Sequence, residues 1–127
     1  MKQQPYHKIL AWQEANQFVI EVYRKTETFP KQEMYGLTSQ LRRAALSVPT
    51  NIVEGRAKQS EKDFTRYLNI AEASLKECAY LLEVSLALKF LDEQTYESLE
   101  SLRARTDFLL TKYKQSILFP SNSKKPL

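Results

Sequence analysis

Phe29-Pro30-Lys31-Gln32-Glu33-Met34-Tyr35-Gly36-Leu37-Thr38-Ser39-Gln40-Leu41-Arg42-Arg43-Ala44-Ala45-Leu46-Ser47-Val48-Pro49-Thr50-Asn51-Ile52-Val53-Glu54-Gly55 is the stretch that decides the fold. Positions three and four apart share one face of an α-helix. Leu37, Leu41, Ala44, Ala45, Val48 and Ile52 fall on such a face and make it apolar. Gln40, Arg43, Ser47, Asn51 and Glu54 make a polar stripe beside it. That stripe is either a solvated boundary or a hydrogen-bonded seam, within the bundle or between subunits. Asn and Gln, which both donate and accept, suit the second reading.

Pro49 interrupts this pattern. Proline has no amide hydrogen, and its ring crowds the carbonyl four residues back, here that of Ala45. The apolar face nevertheless continues to Ile52, which predicts one helix bent near Val48–Pro49. The competing reading stops the helix at Ser47 and uses Ser47 to cap a new one.

Outward from this stretch, the rest of the chain reads as helix. The first helix is expected from His7 to Lys25, with Ala11, Ala15, Phe18, Val19 and Val22 buried. The second runs from Gln32 or Glu33 to Ala57, Gly36 and Gly55 lying near its ends. Ser60 caps the third, which carries a near-heptad seam of Phe64, Leu68, Ala71, Leu75, Cys78, Leu82 and Ser85 and ends near Phe90. Asp92 caps the fourth, which runs to about Leu118. The connections are short, so successive helices alternate in direction. The expected fold is all-α, an up-down-up-down antiparallel four-helix bundle spanning residues 1–119, with a disordered polar tail at residues 120–127.

Composition agrees. The chain has 127 residues, two of them glycine, and no alternating β-branched run. Its single cysteine rules out an internal disulfide and a cysteine-rich metal site. One histidine, His7, cannot supply the paired Glu-x-x-His ligands of a di-metal bundle. No nucleophile–base pair or glycine-rich phosphate loop is present, so neither enzyme activity nor a cofactor or metal is expected. No stretch reaches the roughly 18 apolar residues of a membrane span, and residues 1–8 lack a signal-peptide core. A cytoplasmic protein is expected.

The net charge is +4, and all of that surplus lies in residues 1–60. Such asymmetry hints at an anionic partner. The basic residues of the second and third helices are either a solvated, acid-interleaved surface or a nucleic-acid face. On the second reading Arg42, Arg56, Lys58 and Arg66 contact phosphate, as long cations near one end of those helices. Gln40, Arg43, Ser47, Pro49, Asn51, Glu54 and Gly55 are then structural or assembly residues.

The block Phe29-Pro30, Glu33, Tyr35-Gly36-Leu37-Thr38-Ser39-Gln40, Arg43-Ala44, Ser47-Val48-Pro49, Asn51-Ile52 and Glu54-Gly55 resembles a bacterial four-helix bundle family. Trp12-Gln13, Ala15, Val22-Tyr23, Ile70-Ala71, Ser74-Leu75 and Glu77 extend the likeness over roughly residues 8–118. That family covers the ribosomal RNA intervening-sequence proteins and the accessory variability determinant of diversity-generating retroelements. The resemblance implies a homopentameric barrel without enzyme activity. It further implies nucleic-acid binding, RNA favoured, through a basic surface, with ribosomal RNA or a reverse transcriptase as associate. The alternative is a structural or adaptor oligomer whose partner is a protein. One departure stands out: the family pattern Ala-Arg-Gly-Ser is Ala71-Glu72-Ala73-Ser74 here, which removes a positive charge.

Overall fold

The computed structural model describes residues 2–120. Four helices order it: α1 (Leu10–Lys25), α2 (Leu37–Arg56), α3 (Glu61–Ala87) and α4 (Glu93–Leu118). No strand occurs among the described residues. Each helix packs on the next, α2 against α3 most extensively, and α4 closes the ring on α1; the diagonal pairs barely meet. Alternating directions follow from the short connections, so the up-down-up-down bundle is the observed fold. The tail expected from Pro120 onward falls, beyond Pro120 itself, outside the described residues.

The apolar faces close one core in two lobes. Phe18, Val22, Leu41, Cys78, Leu82 and Leu99 fill the lobe at the C-terminal end of α1. Ala15, Val48, Ile52, Leu68, Leu75 and Leu110 fill the other. Each large side chain so buried contributes about 1.5–3 kcal/mol. α2 passes through Pro49 without a break, and Pro49 is itself buried. The helix stop at Ser47 is therefore not what forms.

Two helix starts differ from the sequence reading. α1 begins at Leu10 rather than His7, because Pro5–Lys8 form one 3-10 turn and Ile9 is extended (φ −81°, ψ 117°). In that turn His7 Nδ1 accepts from the Gln4 amide at 2.7 Å, and the imidazole packs between Tyr6 and Trp12. α2 begins at Leu37 rather than near Glu33. Thr26–Thr28 and Lys31–Glu33 make two more 3-10 turns before it, and Gly36 is the non-helical cap residue (φ −115°, ψ −114°). Glu33 Oε1 accepts from the Leu37 amide at 3.1 Å and satisfies one of the four free donors of the new helix.

The other caps are those the sequence indicates. Ser60 Oγ accepts from the Asp63 amide at 3.1 Å, and Asp92 Oδ1 from the Thr95 amide at 2.7 Å. The Thr95 amide holds the Asp92 carboxyl below its ordinary range. α3 ends in a Schellman motif: Lys89 donates to Leu86 O and Phe90 to Ser85 O, each at 2.9 Å. Lys89, at φ 63°, takes the left-handed position that glycine usually fills.

Candidate nucleic-acid interface

The sequence directions of the helices bring the start of α1, the end of α2, the start of α3 and the end of α4 to one end of the bundle. Residues 2–8 and 54–66 at this end hold Lys2, Lys8, Arg56, Lys58, Lys62 and Arg66 against Glu54, Glu61 and Asp63, a surplus of three positive charges. Two helix starts and two helix ends meet there, so the macrodipoles largely cancel and the side chains set the field.

Tyr67, half-buried on α3, organises the corner. Lys58 Nζ lies 5.1 Å and Arg66 Cζ 4.9 Å from the centroid of its ring. A cation over an aromatic face gains about 0.5–1 kcal/mol at an exposed site. One ring therefore gathers two cations that would otherwise sample separate volumes. Arg66 also stands 4.0 Å from Asp63 Oδ1, a loose and solvated pair. Arg56 is exposed at the end of α2 and shares with Lys8, Tyr113 and Ser116 a cavity of about 610 Å³. Burial pushes the Tyr113 hydroxyl up, and the Arg56 charge pulls it partly back.

Gly55 makes this corner possible. A Cβ there would stand 2.9 Å from Tyr67 Cβ and 3.0 Å from Phe64 Cδ1. α2 and α3 thus touch backbone to side chain at their junction, and that contact fixes the root of the Tyr67 side chain.

Arg42 is elsewhere. It lies fourteen residues before Arg56 on α2, about 21 Å along the axis at 1.5 Å per residue. The expectation that all four cations share one end is therefore corrected: Arg56, Lys58 and Arg66 do, and Arg42 does not. Its Nε donates to Thr26 Oγ1 at 2.8 Å, its Nη2 to Tyr23 O at 3.2 Å, and the guanidinium lies over the Tyr23 ring at 4.8 Å. It closes the C-terminus of α1, where a cation is favoured.

The polar stripe of α2 meets α3. Asn51 Nδ2 donates to Ser47 O at 2.7 Å and Ser47 Oγ at 2.9 Å, and Ser47 Oγ lies 2.9 Å from Ser74 Oγ. Ser47 Oγ has two lone pairs, so after accepting from Asn51 it can either donate to Ser74 Oγ or accept from it. Gln40 Nε2 donates to Glu77 Oε2 at 3.3 Å. Arg43 and Glu54 are exposed. The stripe is thus a hydrogen-bonded seam at Ser47 and Asn51 and a solvated margin at Arg43 and Glu54. It borders an open groove of about 490 Å³ lined by Tyr35, Ser39, Gln40, Arg43, Ser74 and Glu77, with Tyr35 95% exposed at its rim.

The sequence model of the 23S rRNA-intervening sequence protein family matches residues 7–112. The chain belongs to that family. A crystal structure of a protein of unknown function from the S23 ribosomal protein family of Bacteroides thetaiotaomicron has the same fold, at TM-score 0.75. It is 24% identical and covers 84% of this chain and 99% of its own. Among curated proteins none matches.

Glu72, the acidic residue of the Ala71-Glu72-Ala73-Ser74 run on α3, faces α4. Lys114 Nζ stands 2.6 Å from Glu72 Oε1, both side chains 22% exposed, and also reaches Asn69 Oδ1 at 3.0 Å. The Glu72 contact is an ion pair rather than an aligned hydrogen bond, since that oxygen has no aligned donor. The Glu72 carboxylate therefore ties α3 to α4.

Among the described residues no group of three or more His, Cys, Asp or Glu is placed to hold a metal ion. No helix there is long and apolar enough to cross a membrane. Cys78 lies in the core, and burial, with the Glu77 carboxylate, pushes its thiol up to about 12 against the opposing Arg103. Such a thiol is not a nucleophile near neutral pH. Tyr67 is the residue that sequence reasoning missed. Its signal was an aromatic directly after Arg66, in a segment opened by Lys58.

Proposed function

We propose that this protein is a non-enzymatic homo-oligomer that binds RNA through the Arg56–Lys58–Arg66 corner. The observation that carries the reading is the placement of Lys58 and Arg66 on the single ring of Tyr67, with exposed Arg56 beside them. Phosphate neutralisation is additive over cations, so a subunit with few contacts gains affinity when several subunits engage one polymer. The α2–α3 groove, with its exposed Tyr35 and Arg43, supplies a surface for self-association. A ring of five follows from the family resemblance. Contacts of this kind read charge rather than base sequence.

The test is a salt titration of binding to a generic structured RNA. Three phosphate contacts on one engaged subunit should cost roughly 20–40-fold in affinity between about 50 and 200 mM salt, and each further subunit engaged should steepen the fall. The triple variant Arg56→Glu/Lys58→Glu/Arg66→Glu should lose binding with helicity and oligomer mass unchanged. Wild type that fails to bind RNA at low salt would turn the reading to an adaptor oligomer with a protein partner. Unchanged binding by the triple variant would move the site away from this corner.

A further inference from the structure

A separate cavity of about 240 Å³ lies at the opposite end of the bundle, between the end of α1 and the first turn of α2. Its lining combines three chemistries. Phe29, Pro30 and Met34 give it an apolar wall. Arg42 and Lys31 give it positive charge, with Glu27 as its single carboxylate. Thr26 and Thr38 give it hydroxyls.

Two of these groups are incompletely used by the protein. Thr38 is 5% exposed, and its Oγ1 is buried with no hydrogen-bond partner among the described residues. An unmade bond at a buried hydroxyl is unfavourable, so a ligand that completes it gains accordingly. Arg42 spends its Nε on Thr26 and one Nη2 proton on Tyr23 O. A guanidinium has five donors, so three remain. It is half-buried, and no ion pair of the described residues includes it. Thr38 is also the second residue of α2, at the positive end of that helix.

From this juxtaposition we propose that the cavity binds a small aliphatic monocarboxylate, its carboxylate on Arg42 and Thr38 and its stem on Phe29 and Met34. The cavity is smaller than the 300 Å³ or so at which drug-sized sites begin, which sets the size of the ligand. The planar guanidinium suits a carboxylate. Glu27 on the rim disfavours a dianion, and the apolar wall disfavours a bare inorganic ion. A free short-chain acid and the C-terminal carboxylate of a peptide share this chemistry.

Amide and Arg42 Nε–H resonances followed by NMR during titration test the proposal. The probes are butyrate, N-acetyl-leucine, n-butylamine and inorganic phosphate. Butyrate or N-acetyl-leucine should shift Thr26, Thr38 and Arg42 saturably, with a Kd of about 1 mM or below. The tighter of the two identifies the source, free acid or chain terminus. Thr38→Val should weaken binding about tenfold with helicity kept, and Glu27→Gln should tighten it, as an electrostatic contact requires. Absence of saturation, equal shifts with n-butylamine, phosphate binding as tight as butyrate, or full affinity in Thr38→Val would each overturn it.

Discussion

Gly55→Ala should destabilise the bundle, although alanine is the better helix former. Two terms oppose each other. Gly-to-Ala in a helix interior gains about 1 kcal/mol. Gly55 is the penultimate residue of α2, so the gain is cut by fraying. Against it stands the new Cβ, 2.9 Å from Tyr67 Cβ, 3.0 Å from Phe64 Cδ1 and 3.3 Å from Phe64 O. The phenyl ring of Phe64 can turn away, but the Tyr67 Cβ and the Phe64 carbonyl are fixed to α3, so the helices themselves must part. Overpacking of this kind costs about 1–3 kcal/mol. The expected net loss is about 1–2 kcal/mol, a fall in Tm of roughly 4–8 °C for a chain of this length. Urea unfolding at fixed protein concentration measures it, since self-association would otherwise move the midpoint. Because the same atoms root Tyr67, the variant should also weaken RNA binding. A variant as stable as wild type or more so would refute the close-approach argument and leave Gly55 a matter of propensity.

Glu72→Arg sets two cations together where Lys114 now pairs. It should cost about 1–2 kcal/mol in urea unfolding and give no gain in RNA affinity, because the site faces α4 rather than Tyr67. Lys89→Gly relieves a side chain held at φ 63°; it should raise stability by about 1 kcal/mol, read as a higher urea midpoint with unchanged slope.

Four helices, their order and most of their buried faces were legible, because helical periodicity is a local property and short connections leave few topologies. Ser60 and Asp92 announced their helices through side chains that reach the backbone three residues on. The true starts at Leu10 and Leu37 were not legible. Each follows a 3-10 turn, and sequence periodicity does not separate 3-10 from α over three or four residues. The polar stripe was visible, but whether it was wet or bonded depended on Ser74, which lies 27 positions from Ser47. The same limit hid Arg42. Nothing within helical reach of it shows that Thr26 and Tyr23, on another helix, would take its donors. The Lys58–Tyr67–Arg66 group crosses a connection between helices, where no periodicity operates at all.

The ring order of packing also has a consequence in time. α1–α2, α2–α3 and α3–α4 are neighbours along the chain, so these contacts form with small loop-closure entropy. The α1–α4 contact alone joins segments separated by two intervening helices. Folding should therefore zip through hairpins, with α2–α3 the most extensive, and finish when α1 meets α4. Topologies so dominated by local contacts fold in microseconds to milliseconds. Substitutions that loosen the α1–α4 seam should then act mainly on the unfolding rate, and those at the α2–α3 junction mainly on the folding rate.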